Sequence, residues 1–212
     1  MTKLITVCSD QTAIGIQQLF KSLNKFEWDA DVLVTEWKGF GTKLLTVYQY
    51  LKDHPEVDSF FFCDAYDVVV LSTMEEAMSK LNTNVITFSG EKNCWPDKAM
   101  EAYYDTPGKT EWCFLNSGLY FAPSELFISL FDYNMPTLDS DDQLWATTQL
   151  IFNPNSKIVL DVNCKVFQSY SFISNDDFGY ENNRLQNLKT GEQPVFAHGN
   201  GRTDLSKVYD LL

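Results

Sequence analysis

The sequence predicts an α/β fold with a mostly parallel sheet flanked by helices. In the first half of the chain, short apolar runs typical of buried strands alternate with stretches whose apolar residues recur every three or four positions, as in amphipathic helices. Strands that alternate with helices form βαβ units, in which the strands are parallel. Parallel sheets bind ligands beyond the carboxyl ends of their strands, so the residues that follow each strand are the first candidates for a site.

Residues 1–90 are predicted to form four strands and three helices. The strands are expected at residues 3–7, 31–35, 59–63 and 84–88. Three apolar stripes mark the helices: Ile16, Leu19, Phe20 and Leu23; Leu44, Val47, Tyr48 and Leu51; Met74, Ala77, Met78 and Leu81. The third strand contains three consecutive phenylalanines and is apolar on both faces, so we expect it at the centre of the sheet.

The second half of the chain is less regular. Residues 93–111 and 174–191 are predicted as loops, the first with one short helix. Short strands are expected at residues 118–121, 158–160, 166–170 and 195–197, and helices at residues 124–131 and 143–151. The sequence has no internal repeat, low-complexity tract or linker. We therefore expect a single domain over residues 1–212.

Composition indicates an ordinary globular protein. At 212 residues and 24.3 kDa, the chain can bury a full core without disulfides. The five cysteines are odd in number and include no C-x-x-C pair, so we expect reduced, mostly buried thiols, and the two histidines leave little material for a zinc cluster. No apolar run approaches the roughly 20 residues of a membrane span, and the start of the chain does not read as a signal peptide. We expect a cytoplasmic protein without membrane contact.

The net charge of −13 is concentrated in the middle of the chain. Residues 61–142 contain 14 acidic residues and 4 lysines. This distribution disfavours a broad basic groove for nucleic acid. It suits a site that holds a divalent cation.

The strongest local signal is the pair of carboxylates at Asp64 and Asp67, directly after the central strand. At the carboxyl end of a parallel sheet, two carboxylates can hold Mg²⁺ or Mn²⁺, which stabilises the charge of a leaving diphosphate. The alternative is a solvated turn whose aspartates cap the next helix. The pair alone does not decide between these interpretations.

Two further signals carry chemistry only in combination with this pair. Asp141 and Asp142 precede an apolar helix, where they could cap the helix or face an acceptor hydroxyl as a base. His198 follows the last strand and precedes Gly199-Asn200-Gly201, so it could be structural or the third metal ligand. The loop at residues 39–43 lacks the spacing of a phosphate-binding P-loop.

Taken together, these motifs resemble a known family. In chain order they are Asp-Ala-Tyr-Asp at residues 64–67, Phe-Ser-Gly-Glu at 88–91, Cys-Trp-Pro at 94–96, Leu-Asn-Ser-Gly at 115–118, Asp-Asp-Gln at 141–143 and His-Gly-Asn-Gly at 198–201. The set resembles the glycosyltransferase domain of the procollagen lysyl hydroxylases and the related collagen-type glycosyltransferases of viruses. The match runs from about Leu4 to Gly201.

The resemblance implies a GT-A fold, a UDP-sugar donor and Mn²⁺ or Mg²⁺, with a nucleotide-binding half at residues 1–90 and a sugar and acceptor half at residues 91–212. The implied metal ligands are Asp64, Asp67 and His198. The implied donor-binding residues are Trp37 and Tyr66 at the uridine, Lys43 at the nucleotide or its phosphates, Trp95 and Asn116 at the sugar, and Asn200. The implied catalytic residues are Asp141 and Asp142.

The chain also departs from the family pattern. Its acidic run before Gln143 is short, Leu119 stands where a second glycine is usual, and the hydroxylase domains are missing. Donor chemistry therefore transfers more directly than acceptor identity. The expected function is transfer of a sugar from a UDP-sugar to a hydroxyl group, as the resemblance to the collagen hydroxylysine glycosyltransferases implies, and hydroxylysine is one candidate acceptor.

Two alternatives remain. One acceptor alternative is a hydroxymethylated pyrimidine in DNA, which would require a strip of basic residues drawn from Lys92, Lys98, Lys109, Lys165, Arg184, Lys189 and Arg202. The second is a domain that binds a nucleotide sugar without catalysis, which the presence of Asp141 and Asp142 disfavours. A nucleotidyltransferase is disfavoured further, because the loop after the first strand has no glycine.

Overall fold

The structure is a computed structural model that describes residues 1–105, 110–181, 184–210 and 212. The strands are β1 Thr2–Cys8, β2 Ala30–Val34, β3 Ser59–Asp64, β4 Val68–Val70, β5 Ile86–Glu91, β6 Phe114–Pro123, β7 Ile158–Asp161, β8 Phe167–Ser169, β9 Phe178–Glu181, β10 Arg184–Asn187 and β11 Phe196–His198. The helices are α1 Ile14–Lys25, α2 Gly41–Asp53, α3 Met74–Ser79, α4 Ser124–Tyr133, α5 Asp142–Phe152 and α6 Ser206–Tyr209. Short 3-10 helices span Lys98–Tyr103, Asn175–Asp177 and Asn200–Arg202.

The central sheet has six strands in the order β2-β1-β3-β6-β5-β7. β1 is parallel to β2 and β3, and β5 is parallel to β7, whereas β6 is antiparallel to both of its neighbours. The prediction of a mostly parallel α/β sheet is therefore confirmed. The antiparallel β6 was not foreseen, since an apolar run does not reveal in which direction its strand enters a sheet.

β3 lies at the centre of the core, as expected from its three phenylalanines. Phe60 and Phe62 pack on one face of the sheet, in a cluster that includes residues of α2, α4 and α5. Phe61 packs on the opposite face, with residues of α1, α3 and the smaller sheet. All three side chains are buried, because β3 is covered on both faces.

A second, three-stranded sheet in the order β4-β11-β8 packs against this opposite face. Phe61 of the central sheet stacks on Phe196 of β11 at a ring-centroid distance of 5.7 Å, and Trp28 lies edge-on to both rings. β11 is antiparallel to β4 and parallel to β8. The end of β11 is thereby brought beside the turn between β3 and β4, which places His198 next to Asp67.

The structure departs from the sequence predictions mainly in the second half. β6 is longer than the predicted strand at residues 118–121, and β4 was not predicted because it follows β3 after a turn of only three residues, 65–67. The predicted loop at 174–191 contains the hairpin of β9 and β10, whose mixed polar sequence conceals the strands. The predicted loop at 93–111 contains one 3-10 helix, and its residues 106–109 lie outside the described residues.

Two expectations from composition can be compared directly with the structure. All five cysteines are free, and four of them are buried. Within the described residues, no helix combines the length and the apolar character needed to cross a membrane.

Candidate active site

A cavity of about 480 Å³ opens at the carboxyl end of β3. It is lined by nine of the eleven predicted site residues, namely Lys43, Asp64, Asp67, Trp95, Asn116, Asp141, Asp142, His198 and Asn200. Trp37 and Tyr66 are not among the described lining residues. The site thus forms where the two sheets meet, as expected for ligand binding at a parallel sheet.

Asp64, Asp67 and His198 converge in this cavity. The Nε2 atom of His198 lies 3.3 Å from Oδ1 of Asp67 and 3.8 Å from Oδ2 of Asp64. One potential ligand atom from each residue lies within 4.8 Å of the others. Two carboxylates and one imidazole form a donor set that suits Mn²⁺ or Mg²⁺, so these residues fit a divalent cation.

The two sheets hold the charges of this cluster close together. Burial alone would lower the pKa of His198, but the carboxylate of Asp67 beside it, followed by that of Asp64, raises this pKa above its ordinary value. Burial opposes ionisation of Asp67, yet the imidazole of His198 holds the pKa of the Asp67 carboxyl below its ordinary value. The cluster therefore favours an ionised Asp67 beside a protonated His198, and a divalent cation bound there would take the place of that proton.

A bulge in β6 presents the Asn-Ser-Gly motif to the cluster. Phe88 of β5 pairs with Tyr120, whereas the next residue, Ser89, pairs with Asn116, so residues 117–119 have no partner on β5. Such bulges redirect side chains at sites. Here the bulge brings Gly118 against the imidazole of His198.

Lys43 connects the cluster of Asp64, Asp67 and His198 with Asp142. Its Nζ atom lies 2.8 Å from Oδ1 of Asp64 and 2.7 Å from Oδ2 of Asp142. Burial would lower the pKa of Lys43, but the two carboxylates raise it above its ordinary value. Lys43 is therefore a fixed positive charge at the base of the cavity, positioned by the first turn of α2.

Asp141 and Asp142 differ in their surroundings. Asp141 caps α5, since its Oδ1 atom accepts a hydrogen bond of 2.8 Å from the backbone N–H of Leu144, and it also lines the cavity. Asp142 is buried, and its Oδ2 atom accepts a hydrogen bond of 2.9 Å from the hydroxyl of Ser117 in addition to that from Lys43. The capping interpretation is correct for Asp141, and it is compatible with a role in the cavity.

Glu91 is a cavity residue that the sequence analysis did not single out. Its carboxylate is buried and accepts hydrogen bonds from the side-chain amides of Asn116, Gln143 and Asn200. Burial raises the pKa of Glu91, which these hydrogen bonds partly offset. The available signal was an acidic residue at the end of a strand, but the predicted strand stopped at residue 88, before Glu91.

Trp37 and Tyr66, predicted at the uridine, lie near the cavity without lining it. The hydroxyl of Tyr66 accepts hydrogen bonds of 2.8 and 2.9 Å from the backbone N–H groups of Ser9 and Asp10, and thereby fixes the loop after β1. Trp37 packs edge-on against Phe40, which lines the cavity. Both residues therefore follow the carboxyl ends of parallel strands, Trp37 after β2 and Tyr66 after β3.

Asn200 links the cavity to the segment that follows β8. Its Oδ1 atom accepts hydrogen bonds from the backbone N–H groups of Tyr170 and Ser171, at 3.0 and 2.9 Å, while its amide donates to Glu91. Trp95 is largely exposed at the cavity rim.

Several basic residues proposed for a nucleic-acid strip are neutralised by acidic partners. Lys92 and Lys189 each form ion pairs with Glu111 and Asp177. Arg184 forms a bidentate pair with Glu76, as shown in the structure. Lys109 and the side chain of Arg202 lie outside the described part of the chain.

Comparisons with known proteins identify the family of the chain. A family model described as the PLOD GT domain matches residues 1–209. The chain is 34% identical over 182 residues to the uncharacterized protein R699 of Acanthamoeba polyphaga mimivirus, covering 82% of this chain and 38% of that protein. It is 33% identical over 234 residues to procollagen-lysine,2-oxoglutarate 5-dioxygenase of Drosophila melanogaster, covering 97% and 31%. The chain thus spans about a third of the length of these relatives.

Solved structures show the fold class. A glycosyltransferase involved in the glycosylation of the major capsid of PBCV-1 superimposes with a TM-score of 0.60 at 10% identity, covering 100% of this chain and 99% of that one. The galactosyltransferase LgtC, in complex with donor and acceptor sugar analogs, gives a TM-score of 0.51 at 11% identity, covering 95% and 87%. The predicted GT-A fold is therefore confirmed.

Proposed function

Because this chain belongs to the PLOD GT domain family, we propose that it is a metal-dependent glycosyltransferase that moves a sugar from a UDP-sugar to a hydroxyl group. By family and by fold it is a glycosyltransferase of the GT-A type. The observation that carries the proposal is the convergence of Asp64, Asp67 and His198 in one cavity with Lys43 and Asp142.

The proposed metal ion is Mn²⁺ or Mg²⁺, held by Asp64, Asp67 and His198. The donor set supports this assignment, since all three residues offer atoms that such ions accept as ligands. When bound, the ion would stabilise the negative charge that develops on the leaving diphosphate.

Lys43 is proposed to bind the donor diphosphate. Its ammonium group is already held beside Asp64, so a phosphate that approaches the metal ligands also approaches this charge. We also propose that residues 1–90 supply the nucleotide contacts, with Tyr66 and Trp37 near the uridine, and that residues 91–212 supply the sugar and acceptor contacts of Trp95, Asn116 and Asn200.

The acidic pair is proposed to act at the acceptor. Both Lys43 and the hydroxyl of Ser117 contact the buried carboxylate of Asp142, so its proposed role is to position Lys43 and to stabilise positive charge on the sugar. Asp141 accepts the helix-capping hydrogen bond through Oδ1, and its carboxylate lies at the cavity surface. Asp141 is thus the better candidate to orient or deprotonate the acceptor hydroxyl.

The charge of the cavity favours a cationic acceptor over DNA. One lysine and one histidine line the cavity, together with five carboxylates. These carboxylates belong to Asp64, Asp67, Glu91, Asp141 and Asp142. A phosphate backbone is repelled by this arrangement, whereas the ammonium group of a hydroxylysine is attracted. We therefore propose hydroxylysine in a collagen-like polypeptide as the acceptor, in line with the name of the Drosophila relative. The ion pairs of Lys92, Lys189 and Arg184 further disfavour DNA.

A thermal-shift experiment tests the donor half. UDP at about 100 times its Kd should add roughly 2.7 kcal/mol of stability, and only when Mn²⁺ is present. Asp64→Asn should abolish the shift, whereas Asp53→Asn, an exposed change at the end of α2, should retain it. If neither UDP nor another nucleotide shifts the melting temperature with any divalent cation, the proposal is wrong.

The acceptor half needs a transfer assay. Labelled sugar from a UDP-sugar panel should pass to a collagen-like peptide that contains hydroxylysine, and not to DNA that contains hydroxymethylcytosine. The reverse result would assign DNA as the acceptor. Donor binding without transfer to either, and without hydrolysis of the donor by water, would instead favour the non-catalytic binding domain.

A further inference from the structure

We propose that Asn116 is a positioning residue that fixes the imidazole of His198 in the tautomer whose bare Nε2 atom faces Asp64 and Asp67. The proposal rests on the proposed metal site and adds the residue that prepares it. Asn116 lies in the β6 bulge, and its Oδ1 atom is 3.0 Å from Nδ1 of His198.

The orientation of the Asn116 amide is determined by its neighbours. The backbone N–H of Gly118, which can only donate, lies 3.0 Å from Oδ1 of Asn116. The Nδ2 atom of Asn116 faces two acceptors, Oε1 of Glu91 at 3.2 Å and Oε1 of Gln143 at 3.4 Å. A reversed amide would set donor against donor at Gly118 and oxygen against oxygen at the other two contacts.

The orientation of Gln143 is in turn fixed by the backbone. Its Oε1 atom accepts from the N–H of Ser117 at 3.2 Å, and its Nε2 atom donates to the carbonyl oxygen of Trp95 at 3.1 Å. Nε2 also donates to Glu91 at 2.7 Å. A backbone N–H can only donate and a backbone carbonyl can only accept. The contacts with Ser117 and Trp95 therefore fix the amide of Gln143, and Gln143 in turn fixes the amide of Asn116.

The tautomer of His198 is the consequence. Since Oδ1 of Asn116 can only accept, Nδ1 of His198 must carry a proton. In the neutral imidazole, the lone pair is then on Nε2, which is the nitrogen that faces Asp67 and Asp64. A metal ligand needs this lone pair, and hydrogen bonds to the remote nitrogen of ligating histidines usually fix it.

The hydrogen-bonding capacity of Asn116 is also used completely. Its oxygen accepts two hydrogen bonds and its amino group donates two, all to protein atoms. The polar atoms of Asn116 are therefore already paired, so the sugar contact proposed for it is one of packing, and its polar contribution to donor binding passes through His198.

Imidazole ¹⁵N NMR on the metal-free protein tests the proposal directly. The chain has two histidines, and the other, His54, lies on the surface beside Glu56, so two imidazoles must be distinguished. At a pH where His198 is neutral, we expect a protonated Nδ1 and a bare Nε2 in the wild type. In Asn116→Ala, we expect a mixture of tautomers. In Asn116→Asp, which keeps an acceptor oxygen, the wild-type tautomer should persist.

Mn²⁺ affinity, measured by electron paramagnetic resonance of the free ion, gives the second readout. Asn116→Ala should weaken it about 10- to 100-fold, the usual effect of losing such a partner. Ser117→Ala is the matched control, because Ser117 is the neighbouring residue in the same bulge but bonds Asp142 instead of His198. Its Mn²⁺ affinity should remain at the wild-type level.

The outcomes separate this inference from the proposed function. A neutral His198 that carries its proton on Nε2 in the wild type overturns the inference, even if Asn116→Ala does not fold. An unchanged tautomer and unchanged Mn²⁺ affinity in folded Asn116→Ala also overturn it. A third outcome is that the wild type binds no Mn²⁺, while the tautomer preference of His198 is present in the wild type and lost in Asn116→Ala. The positioning role then stands and the metal-dependent function fails.

Discussion

Gly118 and His198 approach each other so closely that a Cβ atom at residue 118 would lie 2.2 Å from Cε1 of His198. The same atom would lie 2.7 Å from Oδ2 of Asp64. Distances this short are not tolerated between non-bonded atoms, so a larger residue at this position must displace the metal-ligand cluster.

We therefore expect Gly118→Ala to weaken Mn²⁺ binding by at least about 10-fold, because the imidazole has to move away from Asp64 and Asp67. Isothermal titration calorimetry with Mn²⁺ measures the effect. Gly179→Ala is the control, since its added Cβ would meet only the flexible end of Leu188, at 3.1 Å. Wild-type Mn²⁺ affinity in Gly118→Ala would show that the ion binds elsewhere.

Lys43→Met should separate nucleotide binding from metal binding. Loss of the ammonium group removes a charge-assisted contact worth about 1.5–3 kcal/mol, so UDP with Mn²⁺ should bind about 10- to 100-fold more weakly. Binding of Mn²⁺ alone should not weaken, because a positive charge 2.8 Å from Asp64 has been removed. Calorimetric titrations of both ligands check this.

Lys52→Met on the same helix is the control for this comparison, since Lys52 is exposed at the other end of α2. Equal loss of UDP and Mn²⁺ binding in a folded Lys43→Met protein would contradict the assigned role and indicate that Lys43 holds the whole cluster in place.

The ion pair of Glu76 predicts how stability depends on pH. Hydrogen bonds from Arg184, followed by those from Lys80 and Ser72, lower the pKa of Glu76 to about 2, although partial burial opposes this. A carboxyl group with a lowered folded pKa stabilises the fold fully above its ordinary pKa of 4.5, and this contribution is lost as the pH falls towards 2. The melting temperature should fall over that interval.

Glu76→Gln should lower the melting temperature at pH 7 and flatten this acid-induced decrease, because the group that titrates is gone. Scanning calorimetry from pH 7 to pH 2 provides the comparison. Glu125→Gln, a change in the first turn of α4, is the control. Parallel pH profiles of wild type and Glu76→Gln would exclude Glu76 as a source of acid sensitivity.

Replacement of Asp161 should lower the free energy of unfolding without a direct effect on the candidate active site. Its carboxylate is buried and accepts hydrogen bonds of 2.8–2.9 Å from the backbone N–H groups of Lys165, Val166 and Phe167. In Asp161→Asn, one oxygen becomes an amino group and faces a backbone donor. We expect a loss of about 1–3 kcal/mol in the free energy of unfolding, measured by urea denaturation.

The exposed Asp53→Asn serves here as the matched change, and its unfolding curve should overlay that of the wild type. An equally unaffected Asp161→Asn would mean that the loop between β7 and β8 rearranges to satisfy its own N–H groups.

The first half of the fold could be predicted because its strands are short apolar runs separated by clear helical stripes. β3 and α2 illustrate this, and both are found close to their predicted positions. β4 was not predicted because it follows β3 after only three residues, and β9 and β10 were not predicted because their sequences are mixed polar and depend on their pairing with each other. The direction of β6 likewise depends on tertiary context.

The site could be predicted where chemistry follows a strand directly. Asp64, Asp67 and His198 each lie at a strand end, and the structure brings them together. Glu91 and Gln143 could not be singled out in this way, because their importance lies in the hydrogen bonds that they form with Asn116. Such a network depends on the three-dimensional arrangement of four separate segments, so it produces no recognisable motif in the sequence.

The position of β11 has a consequence for biosynthesis. Asp64 and Asp67 leave the ribosome before His198, which ends the strand that pairs with both β4 and β8. A nascent chain that stops short of β11 has both carboxylates but an incomplete second sheet, and it lacks His198. The proposed cation site is therefore complete only after β11 has left the exit tunnel and inserted between its two neighbours.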